Sequence, residues 1–258
     1  MSDEIKQGRV SVISGGTGYV GSAIAKKLAE DGMKIAVLYK SASDEEVAKL
    51  ISEFHGTEHA SYKCDLADAA GVTKTIERIE AEQGPIFAAV HAAGTMPMRK
   101  QLYLSTVEDL REQFEPNVFG SFNFLSACAL HLAEHGDGVI VGITTAGVVT
   151  DLNTKARGAY SPMKFALQGM LVALREELLP HGVRVYSVAP GVMPGGMNAE
   201  TPKAFLDMVR VSGPTKTLAE AKDVAGVVSF LCSESARELK DLTLLLAPES
   251  AAPNDVEI

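Results

Sequence analysis

The feature that most constrains this chain is a β-favouring run, Val10-Ser11-Val12-Ile13-Ser14, that meets a glycine cluster opening a helical pattern. Glycines stand at 15, 18 and 21, with Gly16, Thr17, Tyr19 and Val20 between them. Glycine lets a strand-to-helix turn close tightly and lets backbone approach a ligand. The free N–H groups of the following helix then favour an anion. A turn that merely needed positive φ would explain one or two glycines, not this spacing. At the first strand-to-helix turn of an alternating chain, the pattern predicts a dinucleotide pyrophosphate site at Gly15, Thr17, Gly18, Tyr19, Val20 and Gly21.

The rest of the sequence repeats strand and helix. Short β-rich runs lie at 9–14, 34–39, 59–64, 86–91, 138–143, 183–188 and 242–247. Several, such as Ile35-Ala36-Val37-Leu38, are apolar throughout, as strands covered on both faces require. Helical patterns occupy 19–31, 44–54, 68–82, 106–134, 159–180 and 217–233. Alternation of this kind predicts an α/β fold, a Rossmann-type doubly wound parallel sheet of about seven strands flanked by helices. No linker or composition shift divides the chain, so 1–258 reads as a single domain. Within it, 193–214 is an excursion carrying a short helix near 202–211, and 248–258 is a polar tail. The apolar residues Met193, Met197, Phe205, Leu206, Met208 and Val209 either pack as core or form a lid over an apolar substrate.

A net charge of −9 argues against nucleic-acid or anionic-membrane partners. Cys64, Cys128 and Cys232 are far apart and read as buried thiols of a reducing compartment. With no apolar span and no signal-peptide pattern at Met1, a cytoplasmic protein is expected. The six histidines lack metal-ligand spacing with cysteines or paired carboxylates; His131 and His135 are four apart without an HExxH motif, so no metal is expected. No Gly-x-Ser-x-Gly elbow supports hydrolysis. Ser14 and Thr17 could bond phosphate or cap the first helix, capping being the commoner fate.

In such sheets ligands bind beyond the carboxyl ends of strands. After the second strand comes Lys40, with Ser41 and Ser43, where an acid would hold the ribose of NAD. A cation there suits a 2′-phosphate, so NADP(H) is preferred over NAD(H). Asp65-Leu66 follows the third strand and Ala92-Ala93-Gly94 the fourth, the latter small enough for ribose or adenosine. Tyr160 and Lys164 lie one helical turn apart, so they share a face. The ammonium favours tyrosinate and moves the phenol toward use as an acid/base.

Together these pieces resemble the short-chain dehydrogenase/reductase family over about 9–247. The resemblance rests on the glycine turn, Asp65, Ala92-Ala93-Gly94, Asn117, Tyr160, Lys164 and Pro190-Gly191, in that order. It implies that Tyr160 delivers the proton as hydride moves, that Lys164 binds nicotinamide ribose, and that Thr145 (or Thr144) orients the carbonyl. It also implies that Asn117 holds a water, and that Pro190, Gly191 and Val192 contact the carboxamide. Homodimers or homotetramers pairing through the two long helices are implied too, with Leu167, Met170, Leu171 and Leu174 as apolar candidates.

The chain departs from the commonest members in several places, among them Pro194-Gly195 after Pro190-Gly191 and Pro248-Glu249-Ser250 after the last strand. Tyr19 stands where the middle glycine is usual, His91 where asparagine is common, and Thr145 lies fifteen residues before Tyr160, implying an insertion around 151–157. Gly15-Gly16-Thr17-Gly18 and His91 look more like ketoreductase domains of polyketide and fatty-acid synthases. The expected function is an oxidoreductase interconverting a ketone or aldehyde and an alcohol on a small, apolar substrate. The alternatives are a 3-oxoacyl or polyketide-type ketoreductase and a nucleotide-binding protein of this fold without turnover.

Overall fold

The computed structural model describes residues 7–56, 58–95, 100–149, 158–212 and 215–247. The tail at 248–258 and the expected insertion at 151–157 lie outside the described residues, as does the 213–214 end of the excursion.

Seven parallel strands form one sheet in the order β3-β2-β1-β4-β5-β6-β7. They are β1 (Val10–Ser14), β2 (Lys34–Tyr39), β3 (Ala60–Lys63), β4 (Ile86–His91), β5 (Gly138–Ile143), β6 (Val183–Pro190) and β7 (Thr243–Leu246). The helices are α1 (Tyr19–Glu30), α2 (Asp44–Ser52), α3 (Ala69–Gln83), α4 (Val107–Phe114), α5 (Gly120–His135), α6 (Tyr160–Leu178), α7 (Lys203–Ser212) and α8 (Ala221–Cys232).

Continuous apolarity in the strands has the predicted cause. Ile13, Val37, Val90 and Val141 face one hydrophobic layer, which takes in Leu28 of α1 and Val228 of α8. Their neighbours Val12, Leu38, Ala89 and Ile140 face the other, shared with Ile76 of α3, Phe124 of α5 and Leu171 of α6. Both faces are covered, so neither side of a strand is left polar. Gly142 is needed where α6 crosses β5: a Cβ there would sit 2.5 Å from Leu171 Cδ1.

The expected helix over 106–134 is two helices joined by a π-helical turn, Glu115–Phe119. Pro116 has no N–H to donate to the residue four back, so the ladder loses a bond there. Such turns concentrate at functional positions. This one contains Asn117.

The winding direction reverses between β1 and β4, adjacent strands whose outer neighbours run in opposite sequence directions. The crevice beyond their carboxyl ends is where this topology places a ligand. No helix among the described residues is long and apolar enough to cross a membrane.

Candidate active site

The glycine turn sits at the mouth of that crevice. Gly15 has φ +66°, and a Cβ on it would lie 2.6 Å from Ala93 Cα. A Cβ on Gly21 would lie 2.2 Å from Gly15 O. The first glycine therefore lets the turn touch the loop after β4, and the last lets α1 begin against the turn itself. Gly18 is the N-cap residue of α1, without a side chain to satisfy the free N–H groups. Such a bare helix start favours an anion.

The expected capping by Ser14 and Thr17 is not what occurs. α1 has no side-chain cap bond, and Ser14 is wholly buried, bonded to His91 Nδ1 at 2.8 Å. The Tyr19 ring packs against the loop after β6: a Cβ on Gly195 would lie 2.7 Å from its Cε2 and one on Gly196 2.9 Å from its Cβ. The tyrosine at the unusual position thus bridges the turn and the loop that starts the 193–214 excursion.

Tyr160 and Lys164 occupy the first two turns of α6. Lys164 Nζ donates to Ile143 O at 2.8 Å and lies 6.0 Å from the Tyr160 ring centroid. Burial of its ammonium, the one cause of the shift, pushes its pKa down to about 8. Asn117 is held on three sides. Its Oδ1 accepts from Thr95 N at 2.7 Å, and its Nδ2 donates to Thr95 Oγ1 and Gln113 O. Gly94 lies between them, since a Cβ there would be 3.5 Å from Asn117 Oδ1 and 3.8 Å from Lys164 Nζ. Ala93, Asn117, Tyr160 and Lys164 line one small cavity.

Thr144 and Thr145 separate cleanly. The Thr144 hydroxyl is bonded to Ser187 Oγ at 2.8 Å and to Val188 O, within the sheet. Thr145 is extended, at φ −156° and ψ 150°, so its side chain leaves on the opposite side. It lies two residues beyond Ile143, whose carbonyl holds Lys164. Of the two threonines, Thr144 is therefore the one tied into the sheet.

The remaining expected residues line the same end of the sheet. Pro190 pairs with Leu246, and Gly191 N donates to Leu246 O at 2.9 Å, leading into Val192. Leu66 O accepts from Asn123 Nδ2 at 2.9 Å. Lys40 and Asp65 form an ion pair at 2.8 Å with both side chains exposed; the lysine's hydrogen bond holds the Asp65 carboxyl below its usual range. Ser43 is not free for a phosphate: its hydroxyl accepts from Glu46 N and donates to Glu46 Oε2, and that carboxylate also accepts from Ser43 N, closing a capping box on α2.

Sequence reasoning missed the residue that ties this site together. His91 is fully buried, with Ser14 Oγ on Nδ1 at 2.8 Å and Ser121 Oγ on Nε2 at 2.7 Å. Ser121 donates its own proton to Asn117 O. Its oxygen must then accept from His91 Nε2–H, leaving Nδ1 to accept from Ser14. A chain of bonds thereby runs from the end of β1, through His91, to the π turn. Burial first, and the Lys164 charge second, push the His91 pKa down to about 3, so the ring is neutral. Asn123 was missed as well; both gain meaning only from what stands opposite them.

Residues 18–240 match a protein-family model described as enoyl-(acyl carrier protein) reductase. A 3α-hydroxysteroid dehydrogenase of Mediterraneibacter gnavus is 29% identical over 231 residues, 88% of this chain and 91% of its own length. A 3-oxoacyl-acyl-carrier-protein reductase of Aquifex aeolicus is 30% identical over 236 residues, 90% of this chain and 94% of its own. A solved short-chain dehydrogenase of Burkholderia cenocepacia in complex with NADP superposes with a TM-score of 0.83 at 28% identity, covering 93% of this chain and 97% of that one.

Proposed function

This chain belongs to the short-chain dehydrogenase/reductase family, oxidoreductases acting on CH–OH and C=O groups, and on that premise we propose an NADP(H)-dependent enzyme using Tyr160 as its acid/base. The carrying observation is that Tyr160, Lys164 and Asn117 line one cavity with Ala93, beside a glycine turn with no room for side chains. The bare cradle at Gly15–Gly21 fits a pyrophosphate, which is anionic and must approach backbone closely. Residues 15–21 would hold it, with Leu66 and Ala92–Gly94 against the adenosine side and Pro190–Val192 against the nicotinamide. When bound, the nicotinamide supplies or accepts the hydride.

The chain's own residues do the rest. Thr145 orients the carbonyl oxygen toward Tyr160. Tyr160 delivers a proton to that oxygen in reduction and removes it in oxidation. The Lys164 ammonium, held on Ile143 O, favours the ionised phenol. Asn117, fixed through Thr95 and Gln113, positions the water that connects Lys164 to solvent.

Preference for NADP(H) rests on Lys40. It directly follows β2 with no acid at the strand end, and its partner Asp65 is a weak competitor, since an exposed ion pair is worth about 0.2–1 kcal/mol. Two of the three acids in the first turn of α2 are already engaged: Asp44 accepts from the Tyr39 hydroxyl at 3.0 Å, and Glu46 closes the capping box. The substrate pocket is apolar. Met193 packs against the core layer, but none of Met197, Phe205, Leu206, Met208 and Val209 is buried, which favours a lid over core packing for the latter five. A carrier-bound 3-oxoacyl chain is the narrower substrate reading, in keeping with the name of the Aquifex relative.

The test is oxidation of NADPH, with NADH alongside, against ketones, aldehydes and acyl thioesters. Turnover with at least one carbonyl class, faster with NADPH, is expected. Tyr160→Phe should abolish it while NADPH binding persists; retained turnover sinks the mechanism, and binding without any turnover in the wild type favours a regulatory nucleotide-binding role. Lys40→Ala should weaken NADPH binding about tenfold and leave NADH binding nearly unchanged, as loss of one phosphate contact of about 1.4 kcal/mol implies. Equal loss for both cofactors would remove the basis of the preference.

A further inference from the structure

At the other end of the sheet, three potential metal ligands meet. His131 and His135 lie one helical turn apart near the end of α5, so both imidazoles leave the same face. Opposite them, on the penultimate turn of α3, stands Glu80. His131 Nδ1 lies 2.7 Å from Glu80 Oε2, and His135 Nε2 lies 2.8 Å from Glu80 Oε1. Their three ligating atoms all fall within 4.8 Å of one another. Ile86 N, at the start of β4, donates to Glu80 Oε1 at 3.0 Å. That bond fixes the carboxylate from the protein side, so its orientation does not depend on the histidines.

We propose that Glu80, His131 and His135 form a binding site for a divalent transition cation, Zn²⁺ by preference, that staples α3 to α5. Two imidazoles and one carboxylate suit zinc and its neighbours, and do not suit Mg²⁺ or Ca²⁺, which prefer all-oxygen shells. Zinc bonds of about 2.0–2.1 Å place tetrahedral ligands about 3.3 Å apart, so the present hydrogen-bonded trio must open by about half an ångström. Side-chain rotation accommodates that. To ligate, each imidazole must turn a lone pair to the metal: a neutral ring then carries its proton on the other nitrogen, and an imidazolium gives one proton to solvent. Glu80 and His131 are mostly enclosed, while the His135 side chain is 31% exposed. The solvent-facing side leaves room for a water as fourth ligand.

Cys128, on the same helix, is not a ligand; it is fully buried, and burial pushes its thiol upward, away from the thiolate that metals bind. The site lies at the amino-terminal ends of β4 and β5, whereas Tyr160 and Lys164 stand beyond the carboxyl ends. Its role is therefore structural and independent of the proposed reaction. The sequence expectation of no metal rested on the histidine spacing alone; Glu80 is 51 residues from His131 and joins it only through the packing of α3 on α5.

The experiment uses the full chain, stripped with EDTA and desalted. ZnCl₂ titrated in a calorimeter should bind at one equivalent and raise the melting temperature, whereas MgCl₂ should do neither. Co²⁺ should give the visible absorption of a four-coordinate site. His135→Gln and, separately, His131→Gln should each weaken zinc at least tenfold without lowering the metal-free melting temperature substantially, while His55→Gln, after α2 on the opposite face of the sheet, should leave zinc binding unchanged. Absence of zinc binding at micromolar concentrations, or binding unaltered in both ligand variants, overturns the proposal. If one ligand variant fails to fold, the other and the Co²⁺ spectrum of the wild type still decide.

Discussion

Single residues set the ionisation states on which the site depends, and two of them predict distinct pH behaviour. His91 has a native pKa of about 3 against an ordinary 6.5. Between those values the unfolded chain takes up a proton that the native ring refuses. Its contribution to stability is therefore present above pH 6.5 and is lost as pH falls toward 3, at up to about 1.4 kcal/mol per pH unit. Urea melts at pH 7, 5.5 and 4.5 should show this slope, and His91→Asn should reduce it by about one proton; an unchanged slope would assign acid sensitivity to other groups. Lys164 follows the same sign higher on the scale. Its native pKa is pushed from 10.5 to about 8, so the cost of burying its charge is full below pH 8 and is relieved as pH rises toward 10.5. The ammonium that assists Tyr160 disappears over the same interval. Carbonyl reduction should accordingly decline above about pH 8, with kcat/KM against pH as the measurement, and Lys164→Met should be nearly inactive at every pH.

At the scale of elements, the site is made where segments touch without side chains between them. The Gly15–Gly21 turn is the sharpest case. In Gly21→Ala the new methyl would meet Gly15 O at 2.2 Å, a backbone atom that cannot swing aside. α1 must then move off the turn, at a cost of roughly 1–3 kcal/mol, and the N–H groups that would face a pyrophosphate move with it. We expect a lowered melting temperature and at least tenfold weaker NADPH binding by fluorescence titration. Normal binding would show that α1 can shift without disturbing the turn. The π turn at Glu115–Phe119 is a second such device. Its broken ladder leaves Asn117 O to Ser121 and aims the Asn117 amide at Thr95.

At the scale of the whole molecule, the sheet consumes some apolar surface and leaves the rest. Leu167 and Leu171, expected as candidates for pairing between copies, are buried in the layer over the sheet. Exposed apolar residues along the π turn, α5 and α6 include instead Phe119, Phe122 and Leu130, at 53%, 56% and 66%, with Phe165 at 52% and Val172 at 47%. We propose these as the surface through which copies associate, since exposed apolar patches favour such contacts. Light scattering should give a dimer or tetramer for the wild type, and Phe122→Glu with Phe165→Glu should yield smaller species; an unchanged mass would place the contact elsewhere.

The sequence by itself determined the alternation of β1 to β7 with their helices, the glycine turn, and the pairing of Tyr160 with Lys164. Each is local: an apolar run, a residue whose lack of Cβ is the message, or two side chains one helical turn apart. Strand ends were legible to within a residue or two, as for β1, which starts at Val10 rather than Arg9. Only the tertiary structure decided that Thr144 is tied into the sheet, because its partner Ser187 comes from a strand 43 residues away. Only it turned His91 from a family departure into a buried link between Ser14 and Ser121, gave Lys40 its partner Asp65, and joined Glu80 to His131 and His135. The physical reason is common to all of these. A hydrogen bond or ion pair between distant segments depends on which elements the sheet order and helix packing make neighbours, and one chain read in order carries no spacing that encodes it.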